Sequence, residues 1–333
     1  MIRRELRSRA CVRRRIAALV TGTILLIAGC GDGPTRPDPS PLSIQCPAPL
    51  EVTSRDGAGA QVTFAPAVAG GNGAVTTVCS PASGTTLPLG EVNVACTASD
   101  TAGQSAACSF PVRVVGPPRL RYTRFLAFGD SITEGKVSVT PSILMRVAFP
   151  GAYPERLQAM LSERYTAQAF DVLNRGRGGE ELRQGRSRLP GVLEADAPEV
   201  LLLQEGINNI RAFSTERLAS DLRAMVQSAR QRNIGVMLAL LLPVGADREA
   251  SRPGSLAAID ALNEEVRRIS HESGLGEPVD LHTPFAAELS LLGADGLHPT
   301  EAGYERIAQI FFQAITERWE LPPDSPPASL AAW

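Results

Sequence analysis

The sequence predicts a chain of two folded parts, a small all-β sandwich followed by an α/β domain built on a five-stranded parallel sheet. Two observations predict this fold class. Up to about residue 116, short alternating or β-branched runs are separated by Gly, Pro, Asn and Asp, which is typical of a β-sandwich. From about residue 120, strand-like apolar runs alternate with amphipathic stretches, which is typical of a parallel sheet covered by helices on both faces. A length of 333 residues suits two domains.

The first 29 residues have the pattern of an export signal. Residues 1–15 contain seven arginines, and residues 16–29 form an apolar segment that is too short to span a membrane comfortably. The segment leads into "IAGC", residues 27–30, which resembles the lipobox of bacterial lipoproteins. The resemblance implies that Cys30 is lipidated and that the protein is exported, to the periplasmic side of a membrane or to the cell surface. An ordinary signal peptide with an incidental cysteine stays open as the alternative.

The segment after the signal is a predicted tether. Residues 30–42 are rich in proline and polar side chains, a composition that gives a semi-rigid linker. From residue 30 onward the chain carries 26 basic and 34 acidic side chains, a net charge of −8, and its single lysine is Lys136. Because there is no basic patch, nucleic acid is not an expected partner.

Cysteines cluster in the predicted β-sandwich. Cys46, Cys79, Cys96 and Cys108 fall within 63 residues, and the last 225 residues contain none. An even, clustered set in an exported protein indicates two disulfides within one small domain.

Residues 43–116 resemble the hyalin-repeat (HYR) family over nearly their whole length. The resemblance is carried by the ordered run "CSPASGTTLPLGEVNVACTASDTAGQSAACSFPVRV". It implies an immunoglobulin-like sandwich that acts as an extracellular spacer, with cell-surface or polysaccharide contact as the alternative role. Four cysteines allow three pairings. We favour Cys46 with Cys108, which joins the first strand to the last, and Cys79 with Cys96, which closes a hairpin-like pair.

The second part contains five strand-like runs, at residues 124–128, 170–174, 199–206, 234–242 and 278–282. Alternation with helices predicts a flavodoxin-like, three-layer domain with strand order 2-1-3-4-5, whose functional edge lies at the carboxyl ends of the strands. Apolar side chains at helical spacing predict helices within 214–231 and 300–319. Residues 321–333 have little regular pattern and are treated as a tail.

Four short motifs fall at that one edge of the sheet. "FGDSITEG" follows strand 1 and contains Ser131, and "NRGRGG" begins at the end of strand 2 and contains Gly179. "GINN" follows strand 3 and contains Asn208, and "DGLHPT" follows strand 5 and contains Asp295 and His298. Each motif is weak alone, but all four in this order at strand ends are specific. Residues 120–320 thereby resemble the GDSL-type, or SGNH, hydrolase family.

The residue types fit ester hydrolysis. A serine nucleophile needs a base, and a histidine base needs an orienting carboxylate, so Ser131, His298 and Asp295 take those roles. The resemblance assigns the oxyanion donors to the backbone N–H groups of Ser131 and Gly179 and to the side-chain amide of Asn208. The expected activity is hydrolysis of short acyl or O-acetyl esters, with small molecules or carbohydrates as substrates.

Several alternatives stay open. Ser131 could be a helix N-cap, Asp295 and His298 could be a capping pair, and Asn208 and Gly179 could serve only their own turns. A lysophospholipase or thioesterase, an enzyme that transfers acyl groups to sugar hydroxyls, and a non-catalytic adhesin are the competing functions. The catalytic part has no zinc-binding motif, cysteine pair or dinucleotide glycine fingerprint, so no metal or cofactor is expected.

Two departures from the family pattern concern the edge motifs. Asn209 stands where the family commonly has Asp, which puts the local support of Asn208 in question. Gly178 stands where Ser is common, and Arg177 before it adds a cation that would favour an anionic or sugar-bearing substrate. Residues 136–153 and 243–255 are candidate walls of the substrate pocket, with ordinary loop packing as the alternative.

Overall fold

The computed structural model describes residues 40–140, 143–146 and 151–322. The predicted signal peptide, Cys30, most of the tether and residues 323–333 of the predicted tail lie outside the described residues. Within the described ranges, no helix is both long and apolar enough to cross a membrane.

The first part is all-β. A four-stranded sheet has the order β2-β8-β7-β5, and two further pairs, β1-β4 and β3-β6, lie beside it. The strands are β1 (Ser43–Gln45), β2 (Leu50–Thr53), β3 (Ala60–Gln61), β4 (Ala67–Ala69), β5 (Val75–Ser80), β6 (Thr86–Leu87), β7 (Gly90–Asp100) and β8 (Ser105–Val115).

Side-chain alternation along β7 builds the core of this part. Val94, Cys96 and Ala98 are buried, whereas the residues between them are exposed, as the two-residue period of a strand requires. Disulfides join Cys46 to Cys108 and Cys79 to Cys96, the favoured pairing. The first bridge joins the residue that follows β1 to β8, and the second joins the neighbouring strands β5 and β7.

The second part alternates strands with helices. Its elements are β9 (Arg119–Leu120), β10 (Arg124–Gly129), α1 (Ser131–Glu134), β11 (Lys136–Thr140), β12 (Ile143–Arg146), α2 (Tyr153–Arg164), β13 (Asp171–Gly176), α3 (Leu182–Asp196), β14 (Val200–Gln204), a 3-10 turn (Ile207–Asn209), α4 (Thr215–Arg230), β15 (Gly235–Leu238), α5 (Ala246–Ser251), α6 (Ser255–Glu272), α7 (His282–Ala287), a second 3-10 turn (Leu289–Leu291), α8 (Glu301–Trp319) and β16 (Glu320–Leu321).

The central sheet is parallel throughout, with the order β13-β10-β14-β15. Alternate side chains of β10 enter two separate cores. Phe125 and Ala127 pack with α2 and α8 on one face, and Leu126 and Phe128 pack with α3, α4 and α6 on the other. The predicted three-layer α/β arrangement is therefore confirmed, and the neighbours of β10 are those that the predicted order requires.

The predicted fifth strand is reduced to one bridged residue. Val279 donates its N–H to Leu238 at 2.8 Å and accepts from the N–H of Leu240 at 2.9 Å, in parallel register with Ala239. In a parallel ladder alternate residues face the same neighbour, so the next N–H that could extend this ladder is that of Leu281. After Val279 the chain bends, with Leu281 N–H bonded to the Val279 carbonyl, and it enters α7. The run at 278–282 thus occupies the predicted place without forming a full strand.

The start of the predicted tail is ordered. Glu320 and Leu321 form β16, which pairs antiparallel with β9 at the start of the second part. The side chain of Gln168 accepts from the N–H of Leu120 and donates to its carbonyl. The first and last described strands of the second part, β9 and β16, are therefore hydrogen-bonded to each other.

Candidate active site

Ser131 stands at the carboxyl end of β10, where the sequence places a nucleophile. The N-cap of α1 is Asp130, whose Oδ1 accepts the Ile132 N–H at 3.0 Å, so the Ser131 hydroxyl is not used for capping. Gly129 allows the close approach of β14, because a Cβ there would lie 2.1 Å from the carbonyl oxygen of Gln204. Gly135 then ends the helix in the left-handed conformation.

Ser131, His298 and Asp295 form one continuous hydrogen-bond chain. His298 Nε2 is 2.9 Å from Ser131 Oγ, and His298 Nδ1 is 2.6 Å from Asp295 Oδ2. The second carboxylate oxygen of Asp295 accepts the backbone N–H groups of Leu297 and His298. Gly296, with φ +63°, makes the turn that lets residues three apart meet at one imidazole.

The Asp295 carboxylate is held ionised. Burial alone would raise its pKa, but the hydrogen bonds from the side chain and backbone of His298 outweigh burial and lower the pKa to about 2. An ionised carboxylate at Nδ1 places the proton of neutral imidazole on that nitrogen. His298 Nε2 is then free to accept the proton of Ser131.

The loop that carries Gly179 is fixed on two sides. On the Ser131 side, the Arg177 N–H donates to the Gly129 carbonyl at 2.9 Å, and the Gly178 N–H donates to Glu134 Oε2 at 2.6 Å. On the other side, Asn208 Nδ2 donates to the carbonyl of Glu180 at 2.9 Å. Gly179 has φ +73°, a conformation that favours glycine. The structure therefore brings the second and third motifs to the serine.

Asn209 supports Asn208 locally, although it stands where the family commonly has Asp. It is buried, and its Oδ1 accepts the N–H of Leu182, the first residue of α3, at 2.9 Å. An Asn oxygen serves this N–H as an Asp oxygen would. The 3-10 turn that carries Asn208 is thereby pinned to the helix after the Gly179 loop.

Glu134 leaves no room for a side chain at Gly178, the position where the family commonly has Ser. A Cβ at this position would lie 2.6 Å from Glu134 Oε2, the atom that accepts the Gly178 N–H. Glu134 also pairs with Lys136 at 3.2 Å. The side chain of Arg177 is 66 % exposed and lies 3.7 Å from Glu180 Oε1.

A group of buried acids behind the site was not singled out from the sequence. The Glu180 carboxylate is bound by Arg188, which also stacks over the Phe128 ring with its Cζ 3.9 Å from the centroid. Burial raises the pKa of Asp130 to about 6, with the Ile132 N–H and His298 opposing the rise. The sequence offered one signal of this group, the polar pair Gln204–Glu205 directly after the apolar residues of β14. Polar side chains at the end of a buried strand need partners, so further polar groups are expected near them.

The two remaining histidines lie outside this constellation. His271 pairs with Glu277 at 3.1 Å on the surface, and His282 begins α7. Of the candidate wall at 136–153, the strands β11 (Lys136–Thr140) and β12 (Ile143–Arg146) pair antiparallel, and residues 141–142 and 147–150 lie outside the described residues. We call this strand pair the β11–β12 hairpin. The other candidate wall, residues 243–255, contains α5. The hairpin contacts the site loop, since a Cβ on Gly293 would meet the Ser138 carbonyl at 3.2 Å.

Two family models match the chain. The model of the GDSL-like lipase/acylhydrolase family matches residues 127–306, and the HYR domain model matches residues 37–114. The first match spans more than half of the chain and contains all five residues assigned to ester hydrolysis. A search of curated proteins gives no match.

Solved structures with a similar fold include a lipase/acylhydrolase from Enterococcus faecalis, at 20 % identity and a TM-score of 0.49, covering 62 % of this chain and all of that one. Axe2, an acetylxylan esterase from Geobacillus stearothermophilus, is similar at 19 % identity and a TM-score of 0.48, covering 58 % of this chain and 94 % of that one.

Proposed function

Because the chain belongs to the GDSL-like lipase/acylhydrolase family, whose members are ester hydrolases, we propose that Ser131, His298 and Asp295 hydrolyse a short acyl or O-acetyl ester through an acyl-enzyme intermediate. The observation that carries the proposal is the unbroken hydrogen-bond chain from Ser131 Oγ through His298 to Asp295. A carbohydrate or another small molecule carries the ester.

In the acylation step, Ser131 Oγ attacks the carbonyl carbon and its proton passes to His298 Nε2. The oxyanion accepts hydrogen bonds from the N–H groups of Ser131 and Gly179 and from the Asn208 amide. The Asn208 amide has two N–H donors, and the one held by the Glu180 carbonyl orients the other. Collapse of the intermediate breaks the ester C–O bond, and His298 gives its proton to the leaving alcohol oxygen.

In the deacylation step, His298 Nε2 takes a proton from water while the water oxygen attacks the acyl carbon. The second intermediate collapses with cleavage of the bond to Ser131 Oγ, which recovers the proton from His298 and releases the carboxylic acid. The ionised Asp295 stabilises the imidazolium in both steps.

A lipid-like ester is the second candidate substrate. Val139, Ile143 and Met145 of the β11–β12 hairpin are each more than half exposed, and the hairpin lies beside the site loop at Gly293. Exposed apolar side chains next to a catalytic serine would suit an acyl chain. The acyl-length preference separates the two candidates.

We further propose that the enzyme is an exported lipoprotein, anchored through Cys30, with the HYR domain as a spacer between anchor and catalyst. The arginine-rich start, the apolar segment and "IAGC" support the anchor. The two disulfides suit an oxidising compartment.

The test is hydrolysis of 4-nitrophenyl acetate, butyrate and octanoate by the purified full-length protein and by Ser131→Ala. We expect the variant to lose at least ~10³-fold in kcat/KM, because among the described residues Ser131 is the one nucleophile bonded to His298. Ser228→Ala, on the last turns of α4, is the matched control and should match the wild type. Equal rates in wild type and Ser131→Ala would contradict the proposal, and a preference for octanoate would favour the lipid-like substrate.

A further inference from the structure

A small cavity opens directly beside the proposed site. Its volume is about 80 Å³, and it shares Asn208 with the proposed oxyanion hole and Leu297 with the turn before His298. Ile207 and Val244 give it apolar walls. The other notable lining side chains are three arginines, Arg211, Arg248 and Arg252.

The three arginines come from two segments that meet at the catalytic turn. Arg211 follows the 3-10 turn that carries Asn208, and Arg248 and Arg252 lie in and just after α5. Before α5, the Gly245 N–H donates to the Gly296 carbonyl at 2.7 Å. A Cβ on Gly296 would lie 3.2 Å from Arg248 Cβ. The segment therefore rests on the turn that presents His298.

No carboxylate within the described residues pairs with these guanidinium groups. Elsewhere arginines have close acidic partners, such as Asp196 for Arg175 and Asp221 for Arg186, both at 2.7 Å. The nearby Glu249 accepts the backbone N–H groups of Leu256 and Gly254, which lower its pKa. The charge of Arg211 also lowers the pKa of Glu249, but the two side chains form no ion pair.

Three like charges at one small cavity repel one another. Burial and the charge of Arg252 lower the pKa of Arg248, with Asp295 opposing. Asp295 forms no ion pair with Arg248, and its two oxygens are hydrogen-bonded within the catalytic turn. An anion in the cavity would relieve this repulsion.

The size of the cavity limits what the arginines can bind. Pockets for drug-sized ligands measure roughly 300–1,000 Å³, so 80 Å³ suits one compact group rather than a ring or a long acyl chain. Guanidinium groups match the oxygens of carboxylate and phosphate, with which they form paired charge-assisted hydrogen bonds.

We propose that this cavity is a subsite for a carboxylate or phosphate group carried by the substrate, so that the hydrolysed ester belongs to an anionic molecule such as an acetylated uronic acid or an acylated glycerol phosphate. The inference rests on the proposed ester hydrolysis. From the sequence, Arg177 predicts a preference for anionic substrates. We assign this preference to Arg211, Arg248 and Arg252 instead, because Arg177 does not line the cavity.

The test compares acetyl esters that differ only in the charged group. One pair is the O-acetyl ester of methyl galacturonoside and that of methyl galactoside, and the other is acetyl glycerol 3-phosphate and acetyl glycerol. We expect the wild type to favour the anionic member of one pair by at least ~10-fold in kcat/KM. The double variant Arg211→Gln/Arg252→Gln should lose at least ~10-fold of that preference, mainly through KM. Arg230→Gln, at the far end of α4, is the matched control and should keep it.

The outcome of each arm is decisive. Preference in the first pair identifies the carboxylate as the ligand, and preference in the second identifies the phosphate. Equal rates within both pairs, or a preference that survives in the double variant, would overturn the subsite while leaving ester hydrolysis intact.

If even 4-nitrophenyl acetate is not hydrolysed, the proposed function fails, and calorimetry decides the subsite separately. Galacturonate and glycerol 3-phosphate are titrated into Ser131→Ala and into the same protein carrying the two arginine changes. Heat of binding that disappears with the arginines supports the subsite, and no binding in either protein refutes it.

Discussion

Glu205 is a carboxylic acid enclosed at the end of β14, three residues before Asn208. It is 2 % exposed, and neither carboxyl oxygen has a hydrogen-bond partner in the described part of the chain. Burial, and then the nearby acids Asp130 and Glu180, raise its pKa to about 10, while Arg188 opposes the rise. Arg188 forms its ion pair with Glu180 and not with Glu205. Glu205 is therefore protonated at neutral pH.

A buried protonated acid makes stability depend on pH. In the unfolded chain, Glu205 loses its proton above its ordinary pKa of about 4.5, whereas the folded chain keeps it up to about 10. The folded state therefore binds the extra proton, and the free energy of unfolding falls as pH rises through that window. We expect Glu205→Gln, which cannot ionise, to gain stability relative to the wild type steadily from pH 5 to pH 9.

Urea unfolding at several pH values checks this expectation. Glu194→Gln, on the exposed face of α3, is the matched control. A difference between wild type and Glu205→Gln that is the same at pH 5 and pH 9 would show that Glu205 is ionised in the folded protein.

At the scale of elements, the site depends on the hydrogen bond between α3 and the 3-10 turn (Ile207–Asn209) that follows β14. The Leu182 N–H is one of the first N–H groups of α3, which have no partner within the helix, and Asn209 Oδ1 accepts it in a buried position. The same turn holds Asn208 against the Glu180 carbonyl. One residue thus couples the start of a helix to the placement of the proposed oxyanion donor, Asn208.

Removing that acceptor should destabilise the protein. We expect Asn209→Ala to lower the free energy of unfolding by about 1–3 kcal/mol, because a buried N–H loses its only described partner. Asn209→Asp keeps an oxygen at the same place, adds a negative charge favourable at a helix N-terminus, and should stay close to the wild type. Urea unfolding at pH 7 compares the three proteins, and equal losses in Ala and Asp variants would refute the capping role.

The contrast between what could and could not be predicted also lies at this scale. Strand-like runs and their polar ends placed Ser131, Asn208 and His298 at one edge, because burial imposes local periodicity on the sequence. The loss of the fifth strand depends on a bend after Val279, where the Leu281 N–H bonds to the Val279 carbonyl instead of to a neighbouring strand. The local periodicity of the sequence does not reveal this bend. The arginine-lined cavity could not be predicted, because it forms only when α5 reaches the catalytic turn.

For the whole molecule, the cross-links and the chemistry lie in different parts of the chain. Both disulfides fall between Cys46 and Cys108, and the sequence has no cysteine after that residue. The β-part has a small core, whose buried members include Val94, Phe110 and Val112. A small core needs covalent support, whereas the α/β part has two large apolar clusters on either side of its sheet.

Reduction should therefore weaken the β-part and leave ester hydrolysis intact. The chain-entropy relation gives about 4 kcal/mol for the bridge between Cys46 and Cys108, which are 62 residues apart, and about 3 kcal/mol for the one between Cys79 and Cys96, which are 17 apart. We expect calorimetry with dithiothreitol to show a lower Tm for one transition, with 4-nitrophenyl acetate hydrolysis unchanged at 25 °C. The Cys79→Ala/Cys96→Ala variant should lower that Tm less than Cys46→Ala/Cys108→Ala, because the shorter loop restricts the unfolded chain less. If hydrolysis disappears together with the transition that the reductant shifts, the two parts fold as one cooperative unit and the catalytic part draws its stability from the disulfides after all.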